Sequence, residues 1–337
     1  MDEKRVRIAD IAEELGVSTA TVSNVIHGKT GRVSAETVSR VQALLEEKQY
    51  VPSMAGILLA QNNSRIIGVV INDHRKYEGH VLEDPFVSSS INHLSREIEA
   101  AGYFLMIKTT TVWNDIVQFA SMWNMEGLVL IGFCNQDYQK LRERMRIPFV
   151  VYDGFFDTAD RICNLAIDDY DGGLQMGCYF KKLGYTHALC IADNDNCMDH
   201  DRLRGFQAGI ESGAEILLVP MEKQERTRFY KANLPLLRSA DAIFAVSDRH
   251  AVELMQFLQK NGIRVPQDVA IAGFDDNPIC QEVHPTLTTI RQDGSRRAKL
   301  ALELLLALKR GQPGRAITLP VELVVRESTG SKNGQMD

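Results

Sequence analysis

The chain reads as an N-terminal all-α helix-turn-helix domain followed by an α/β domain of doubly wound parallel sheets in two lobes. Three observations carry this reading. Residues 1–50 contain three short amphipathic segments of helical period and no strand pattern. From Arg65 onward, near-continuous apolar runs alternate with helical stretches, which is the pattern of parallel sheets covered on both faces. Within "FFDTADRICNLAID" (155–168) one strand follows another with no helix between, which favours two lobes over a single barrel.

In the first segment, Ile8, Ile11, Ala12 and Leu15 form one apolar stripe that Gly16 stops. The next stretch, "GVSTATVSNVIHG" (16–28), is rich in hydroxyls, which normally favour turns. Yet Val22, Val25 and Ile26 fall at i, i+3 and i+4, which is helical spacing. Ser18 is a good N-cap, and Val17 and Val22 are placed for a hydrophobic staple; Gly28 ends the helix. The third helix starts at Ser34, has Glu36 in its first turn, and turns Val38, Val41 and Leu45 inward.

The first two helices, joined by "GVS", have helix-turn-helix spacing. The second presents Thr19, Ala20, Ser23, Asn24 and His27, short side chains that let a helix enter a major groove closely. Thr21, Ser23 and the helix N-terminus suit phosphates, as do Arg5, Arg7, Lys29, Arg32 and Arg40. A small protein-interaction module fits the same spacing. The DNA-binding unit is expected over 1–49.

Residues 50–64 form a separate hinge segment. In "VPSMAGILLAQNNS" (51–64), Pro52 breaks the preceding helix and "QNNS" is loop-like. The intervening "MAGILLA" is too short to be helical alone, and Gly56 weakens it by up to ~1 kcal/mol relative to Ala. A helix here is expected only when something orders it.

Strands are expected at 66–72, 103–109, 127–133, 148–153, 187–193, 215–220, 242–248 and 269–275. Helices fill most gaps, including 88–101, 171–183, 202–212 and 249–261. The late runs "LTTIRQ" (287–292) and "ITLPVELVVRE" (317–327) are expected to cross back and tie the lobes together. This gives a two-lobed domain over 65–330: an N-lobe of about 65–159 plus 292–317, and a C-lobe of about 160–291 plus 318–330. Residues 331–337 are expected to be a disordered tail.

Composition narrows the function. The chain has 337 residues, 45% hydrophobic and 24% charged, as in ordinary globular proteins. No apolar run of 18 or more residues suggests a membrane span, and "MDEKRVRIADIAEELG" lacks the core of a secretory signal. Six cysteines (134, 163, 178, 190, 197, 280) without CxxC spacing point to reduced thiols in a cytoplasmic protein. Net charge is −6, and the first 60 residues hold seven Lys and Arg against eight Asp and Glu. Any DNA binding must therefore rest on local charge placement. "DNDNCMDHD" (193–201) lacks the glycine and glutamate of a calcium loop, so it reads as an effector-rim loop and no metal is expected. No nucleophile elbow, phosphate loop or paired-histidine motif occurs, so neither a catalytic set nor a cofactor is expected.

At this point a family becomes recognisable. "IADIAEELGVSTATVSNVIHG" and "RVSAETVSRVQALLEEKQYVPS" closely resemble the N-terminal domain of lac-repressor-family regulators. "RIIGVV", "HDRLRGF", "DAIFAVSDRHAVELMQFLQKNGIRVPQDVAIAGFDD" and "PTLTTIRQD" follow in the family's order, so the resemblance covers roughly 7–327. It implies a homodimer whose helix-turn-helix units each read half of a near-palindromic double-stranded operator. It also implies periplasmic-binding-protein-like lobes with a small effector, sugar or nucleobase-like, between them. In such regulators the hinge folds on DNA, and a leucine matching Leu59 wedges into the minor groove.

Two departures bear on specificity. Asn24 stands where most members have Arg; Arg suits guanine O6 and N7, whereas Asn suits adenine N6 and N7. The hinge has Gly56, Ile57 and Leu58 where an arginine is common.

For the effector, open parallel sheets bind ligands at the carboxyl ends of their strands. Asp153, Asp168, Ser247, Asp248 and Asp275 fall there. Asp168 and Ser247 fit a helix N-cap or a lobe–lobe contact equally well. Arg202, expected to open a helix, matches the family's ligand-contacting arginine, and Asp275 a ligand-contacting aspartate. Asp84 and Phe86 fit a cleft-lining "NPFF"-like segment. The stretch before them, within "YEGHVLEDPFVSSS" (77–90), is longer than usual and either reshapes selectivity or is a surface loop. The expected function is a ligand-responsive repressor. A periplasmic-type solute-binding protein would share the lobes but not the helix-turn-helix.

Overall fold

A computed structural model describes residues 6–51, 64–133, 138–154, 162–211 and 213–330. The hinge expectation, with Leu59, lies outside the described residues, as do Arg5, Cys134 and the tail 331–337. Contacts divide the chain into two compact units, Met1–Ser64 and Arg65–Asp337.

The first unit holds α1 (Ile8–Leu15), α2 (Thr19–Ile26) and α3 (Ala35–Glu47), with a 3-10 turn at Thr30–Arg32. Gly16 ends α1 in the left-handed region, φ 66°, and two backbone bonds close the turn: Gly16 N–H to the Glu13 carbonyl and Val17 N–H to the Ala12 carbonyl. Gly28 ends α2 in the same way, φ 68°, with Lys29 N–H bonding the Asn24 carbonyl. Ser18 and Ser34 each accept the amide three residues on, at 3.1 and 3.2 Å. Ile11, Ala12, Val22, Val25, Val41 and Leu44 are buried together, a core of six buried side chains among the described residues. With so little core, capping makes a larger share of this unit's stability.

The second unit contains two six-stranded sheets. Its strands are β1 (Ile66–Asn72), β2 (Phe104–Thr110), β3 (Gly127–Ile131), β4 (Phe149–Tyr152), β5 (Ile162–Ile167), β6 (Ala188–Ala192), β7 (Glu215–Leu218), β8 (Ala242–Ala245), β9 (Ala270–Asp275), β10 (Thr288–Arg291), β11 (Ala316–Leu319) and β12 (Glu322–Val324). The helices are α4 (Pro85–Ala100), α5 (Trp113–Met122), α6 (Tyr138–Arg144), α7 (Asp169–Lys182), α8 (Cys197–Ile210), α9 (Lys223–Ala232), α10 (Leu234–Ser239), α11 (Asp248–Lys260), α12 (Ile279–Glu282) and α13 (Gly294–Lys309).

The sheet orders are β11-β5-β4-β3-β1-β2 and β12-β10-β9-β8-β6-β7. All pairings are parallel except β10 with β12. In register, Val69 lies between Ile107 of β2 and Val129 of β3. Both sheets reverse strand order beside their first strand, at β1/β3 and β6/β8, which is where doubly wound sheets open a crevice at the strand carboxyl ends.

The lobe boundary differs from the expected 159/160. β5 pairs with β4 in the first sheet, so the first crossing comes after Ile167. The late run 317–327 is two strands, not one. Pro320, which has no N–H for a ladder, separates β11, paired to β5, from β12, paired to β10. The lobes are thus joined three times, at 168, around 292–293 and around 320–321.

Candidate functional site

On the first unit, Ser18, Thr19 and Ala20 at the start of α2 are exposed, and Thr21, Ser23, Asn24 and His27 are half-buried. The Ser18 hydroxyl is engaged as the cap, 2.9 Å from the Thr21 hydroxyl. The α2 surface carries no Lys or Arg; the exposed cations Arg7, Lys29, Arg32 and Arg40 lie on the flanking segments. Arg40 is anchored by a bond from its Nη2 to the Leu15 carbonyl at 3.3 Å. A small polar helix face flanked by cations is the division of labour of a groove-reading helix.

In the second unit the sequence-derived residues separate into two groups. Asp168 and Ser247 cap helices, accepting from Asp171 N–H at 2.9 Å and His250 N–H at 3.4 Å. Asp248 is fully buried and holds the Thr289 hydroxyl at 2.6 Å and Asn277 N–H at 2.8 Å. Asp84 caps α4 through Phe86 and Val87 N–H and lies 3.6 Å from Arg249, while Phe86 is half-buried.

Asp153, Arg202 and Asp275 converge at the carboxyl ends of the strands. Arg202 lies in the second turn of α8, not at its start, because the helix begins at Cys197. Its Nε donates to Asp169 Oδ1 at 2.7 Å and its Nη1 to the Val246 carbonyl at 2.6 Å. Asp275 Oδ1 is 3.7 Å from Nη1, and the guanidinium lies 3.7 Å over the Phe274 ring. The position of Arg202 follows from how closely α7 and α8 pack. A Cβ at Gly205 would overlap the Tyr170 carbonyl, and one at Gly173 the Arg202 carbonyl. These glycines let the two backbones touch, which sets Asp169 at the guanidinium.

A polar chain continues from this pair into the other lobe. Gln292 Nε2 donates to Asp275 at 2.8 Å, and Arg297 Nη1 donates to Gln292 Oε1 at 2.9 Å. Arg297 Nη2 reaches the Leu165 carbonyl at 2.8 Å and lies 2.6 Å from Asp153. Asp153 and Asp275 leave their strands with φ of 54° and 120°. Such backbone costs about 1–3 kcal/mol in non-glycine residues and clusters at ligand sites.

Burial dominates the electrostatics. It pushes the Asp169 carboxyl up to about 7 despite Arg202, and raises Asp275 well above the carboxylate range. Asp248 is likewise pushed up to about 6. At Asp193 burial also acts upward, but the His250 hydrogen bond and the charges of Lys76 and His250 outweigh it and hold the group far below its ordinary value. Carboxylates paired with a guanidinium over an aromatic ring suit the donor–acceptor pattern of vicinal hydroxyls or a purine edge.

Sequence reasoning missed Asp169, Gln292 and Arg297. Asp169 carried the same strand-end signal as its neighbour Asp168; Arg297 is one of several charges in an amphipathic helix and carried none.

The model for bacterial regulatory proteins of the lacI family matches residues 7–53, and that for the periplasmic binding protein-like domain matches 178–329. The chain joins a lacI-family DNA-binding domain to a periplasmic-binding-protein-like domain. Among its relatives, the HTH-type transcriptional regulator DegA of Bacillus subtilis is 26% identical over 98% of this chain and 99% of its own. The HTH-type transcriptional repressor PurR of Vibrio parahaemolyticus is 27% identical over 97% and 99%. The lac repressor dimer bound to operator and the anti-inducer ONPF superposes with a TM-score of 0.82 at 23% identity, covering 96% of this chain and 99% of that one. A LacI-family regulator from Enterococcus faecium with bound ribose gives 0.66 at 21%, covering 79% and 99%. Both likenesses establish the fold. The lacI-family match takes in α1–α3, and the periplasmic match takes in Arg202, Asp275 and Arg297. Among the described residues, no helix is long and apolar enough to cross a membrane, and no group of three or more His, Cys, Asp or Glu is placed to hold a metal.

Proposed function

We propose that this lacI-family regulator is a cytoplasmic, homodimeric repressor that binds an operator and responds to a small polar metabolite, acting by binding and not by catalysis. The observation that carries this is the joining in one chain of a lacI-family helix-turn-helix with a two-lobed cleft built around Arg202 and Asp275. Relatives are named repressors, and solved neighbours hold operator DNA, cellobiose or ribose, which supports operator binding and a sugar-like effector.

In this reading Thr19, Ala20, Asn24 and His27 face base edges, with Ser18, Thr21, Ser23 and Arg32 at the phosphates and Leu59 at the minor groove. Arg202, Asp275 and Asp153 hold the effector, and Asp84, Phe86 and Ser247 line it. Ligand held between the lobes changes whether both helix-turn-helix units can occupy half-sites one DNA turn apart, ~34 Å. The lacI-family match at 7–53 disfavours a solute-binding protein without a regulatory role.

Gel retardation on duplexes selected from a random pool tests the reading. Binding should fall steeply between 50 and 200 mM salt, as phosphate contacts require. A sugar from a screened panel should change the retardation of wild type but not of Arg202→Ala. Absence of retardation on every selected duplex overturns it.

A further inference from the structure

The twelve residues 73–84 between β1 and α4 lead out of the first lobe and rest on the second. They form two 3-10 turns, Arg75–Tyr77 and Val81–Glu83. Arg75 Nε donates to Met221 Sδ at 3.3 Å, and Glu78 Oε2 accepts Lys223 N–H at 3.3 Å. Arg249 Nη2 donates to the Lys76 carbonyl at 3.4 Å. The segment is therefore held against the second lobe by three hydrogen bonds.

Lys76 is the residue of this strap whose charge reaches the cleft. Its side chain is half-buried, with the ammonium 5.3 Å from the Tyr77 ring centroid. It lies in the field of Asp84, Asp193 and Asp199, yet among the described residues no carboxylate comes within ion-pairing distance of it. The nearby carboxylates already have donors. Asp84 takes two α4 amides, Asp193 and Asp199 share the Asn194 amide, Asp169 takes Arg202 and Asp275 takes Gln292. Lys76 thus keeps three N–H donors without a carboxylate partner, beside Arg249, whose Nη1 lies 3.6 Å from Asp84 and whose guanidinium lies 5.7 Å from the same Tyr77 ring.

We propose that Lys76 is a ligand-contacting, specificity-determining residue, and that it selects an effector with an acidic group, carboxylate or phosphate, on a sugar-like scaffold, seated between Lys76 and Arg249. This rests on the effector cleft of the proposed function and names the class of ligand it takes. An anionic oxygen there gives Lys76 the acceptor it lacks, through charge-assisted bonds stronger than those to a hydroxyl. An amine would meet Lys76 and Arg249 head-on and find the carboxylates occupied. Burial favours the neutral form of Asp169, Asp199 and Asp275, and Asp193, which stays ionised, already faces His250 at 3.4 Å.

The test is calorimetric titration of the full chain with matched sets of neutral hexose, hexuronate, hexose 6-phosphate and hexosamine in the gluco, galacto and manno series. A uronate or a phosphate should bind at least tenfold tighter than its neutral parent, and which of the two does so separates the sources. Lys76→Met should remove that preference while changing the neutral parent less than threefold, and Lys76→Arg should retain it. The idea is overturned if a neutral or amino member binds tightest, if no acidic member binds, or if Lys76→Met leaves the preference intact. A neutral hexose that binds through Arg202 and shifts operator retardation would sink this inference while leaving the regulatory reading standing.

Discussion

At the scale of single residues, the proposed recognition of DNA bases rests most on Asn24. It is the amide on the α2 surface, and its side chain makes no hydrogen bond among the described residues. Asn paired with adenine and Arg with guanine are each worth ~1–3 kcal/mol of discrimination. Selection from random duplexes should therefore give wild type and Asn24→Arg half-sites that differ at one position, adenine replaced by guanine; identical half-sites would refute the assignment. In the cleft, Asp169 makes stability depend on pH. Its folded value of about 7 exceeds the ordinary 3.8, so the folded chain keeps a proton that the unfolded chain has released above about pH 4. This stabilisation is lost as pH rises toward 7, and Asp248, near 6, acts in the same direction. The Tm of the ligand-free protein should fall from pH 5 to pH 8, with a shallower fall in Asp169→Asn. An equal slope in the variant would contradict the assignment. As candidates, Asp275 is marked by a strand end and a family motif, and Arg202 by the motif alone. Asp169 meets Arg202 across 33 residues of sequence, a contact that no local pattern encodes.

At the scale of elements, the strands were legible because burial on both faces leaves continuous apolar runs such as "IIGVVIN", whose first six residues are all buried. Sheet membership was not legible. Nothing in β5 itself says that it pairs with β4, and a single Pro320 divides an apolar run between two sheets. The α7–α8 contact was likewise hidden, because it is written in glycines that a helical pattern treats as weak points. Gly205→Ala tests its weight. The added methyl meets the Tyr170 carbonyl, which is backbone and cannot swing aside, so the loss should reach the upper part of the ~1–3 kcal/mol range for overpacking. The urea midpoint of the second unit should drop accordingly, and ligand affinity with it, since the helix that carries Arg202 must move. A variant with unchanged midpoint would show that the helices adjust freely.

At the scale of the whole molecule, ligand and operator are coupled only through the chain that connects them, and thermodynamics fixes how that coupling is measured. Whatever factor the ligand imposes on operator affinity, the operator must impose on ligand affinity. Within the effector domain the Asp153–Arg297–Gln292–Asp275 chain joins residues of both lobes, buried at Asp153, Arg297 and Asp275 and half-buried at Gln292. A ligand that engages Asp153 and Asp275 therefore acts on both lobes at once. Gln292 is the middle link, bonded on one side to Arg297 and on the other to Asp275. Gln292→Leu should leave each separate affinity measurable and reduce the coupling factor by about 0.5–2 kcal/mol, roughly twofold to thirtyfold. Operator anisotropy with and without ligand, and ligand titration with and without operator, give the factor twice in one buffer. Salt must be held constant, because operator affinity alone shifts steeply with it. Two equal factors that fall together in Gln292→Leu place the coupling in this polar chain. Equal factors that the substitution leaves untouched place it elsewhere in the lobes.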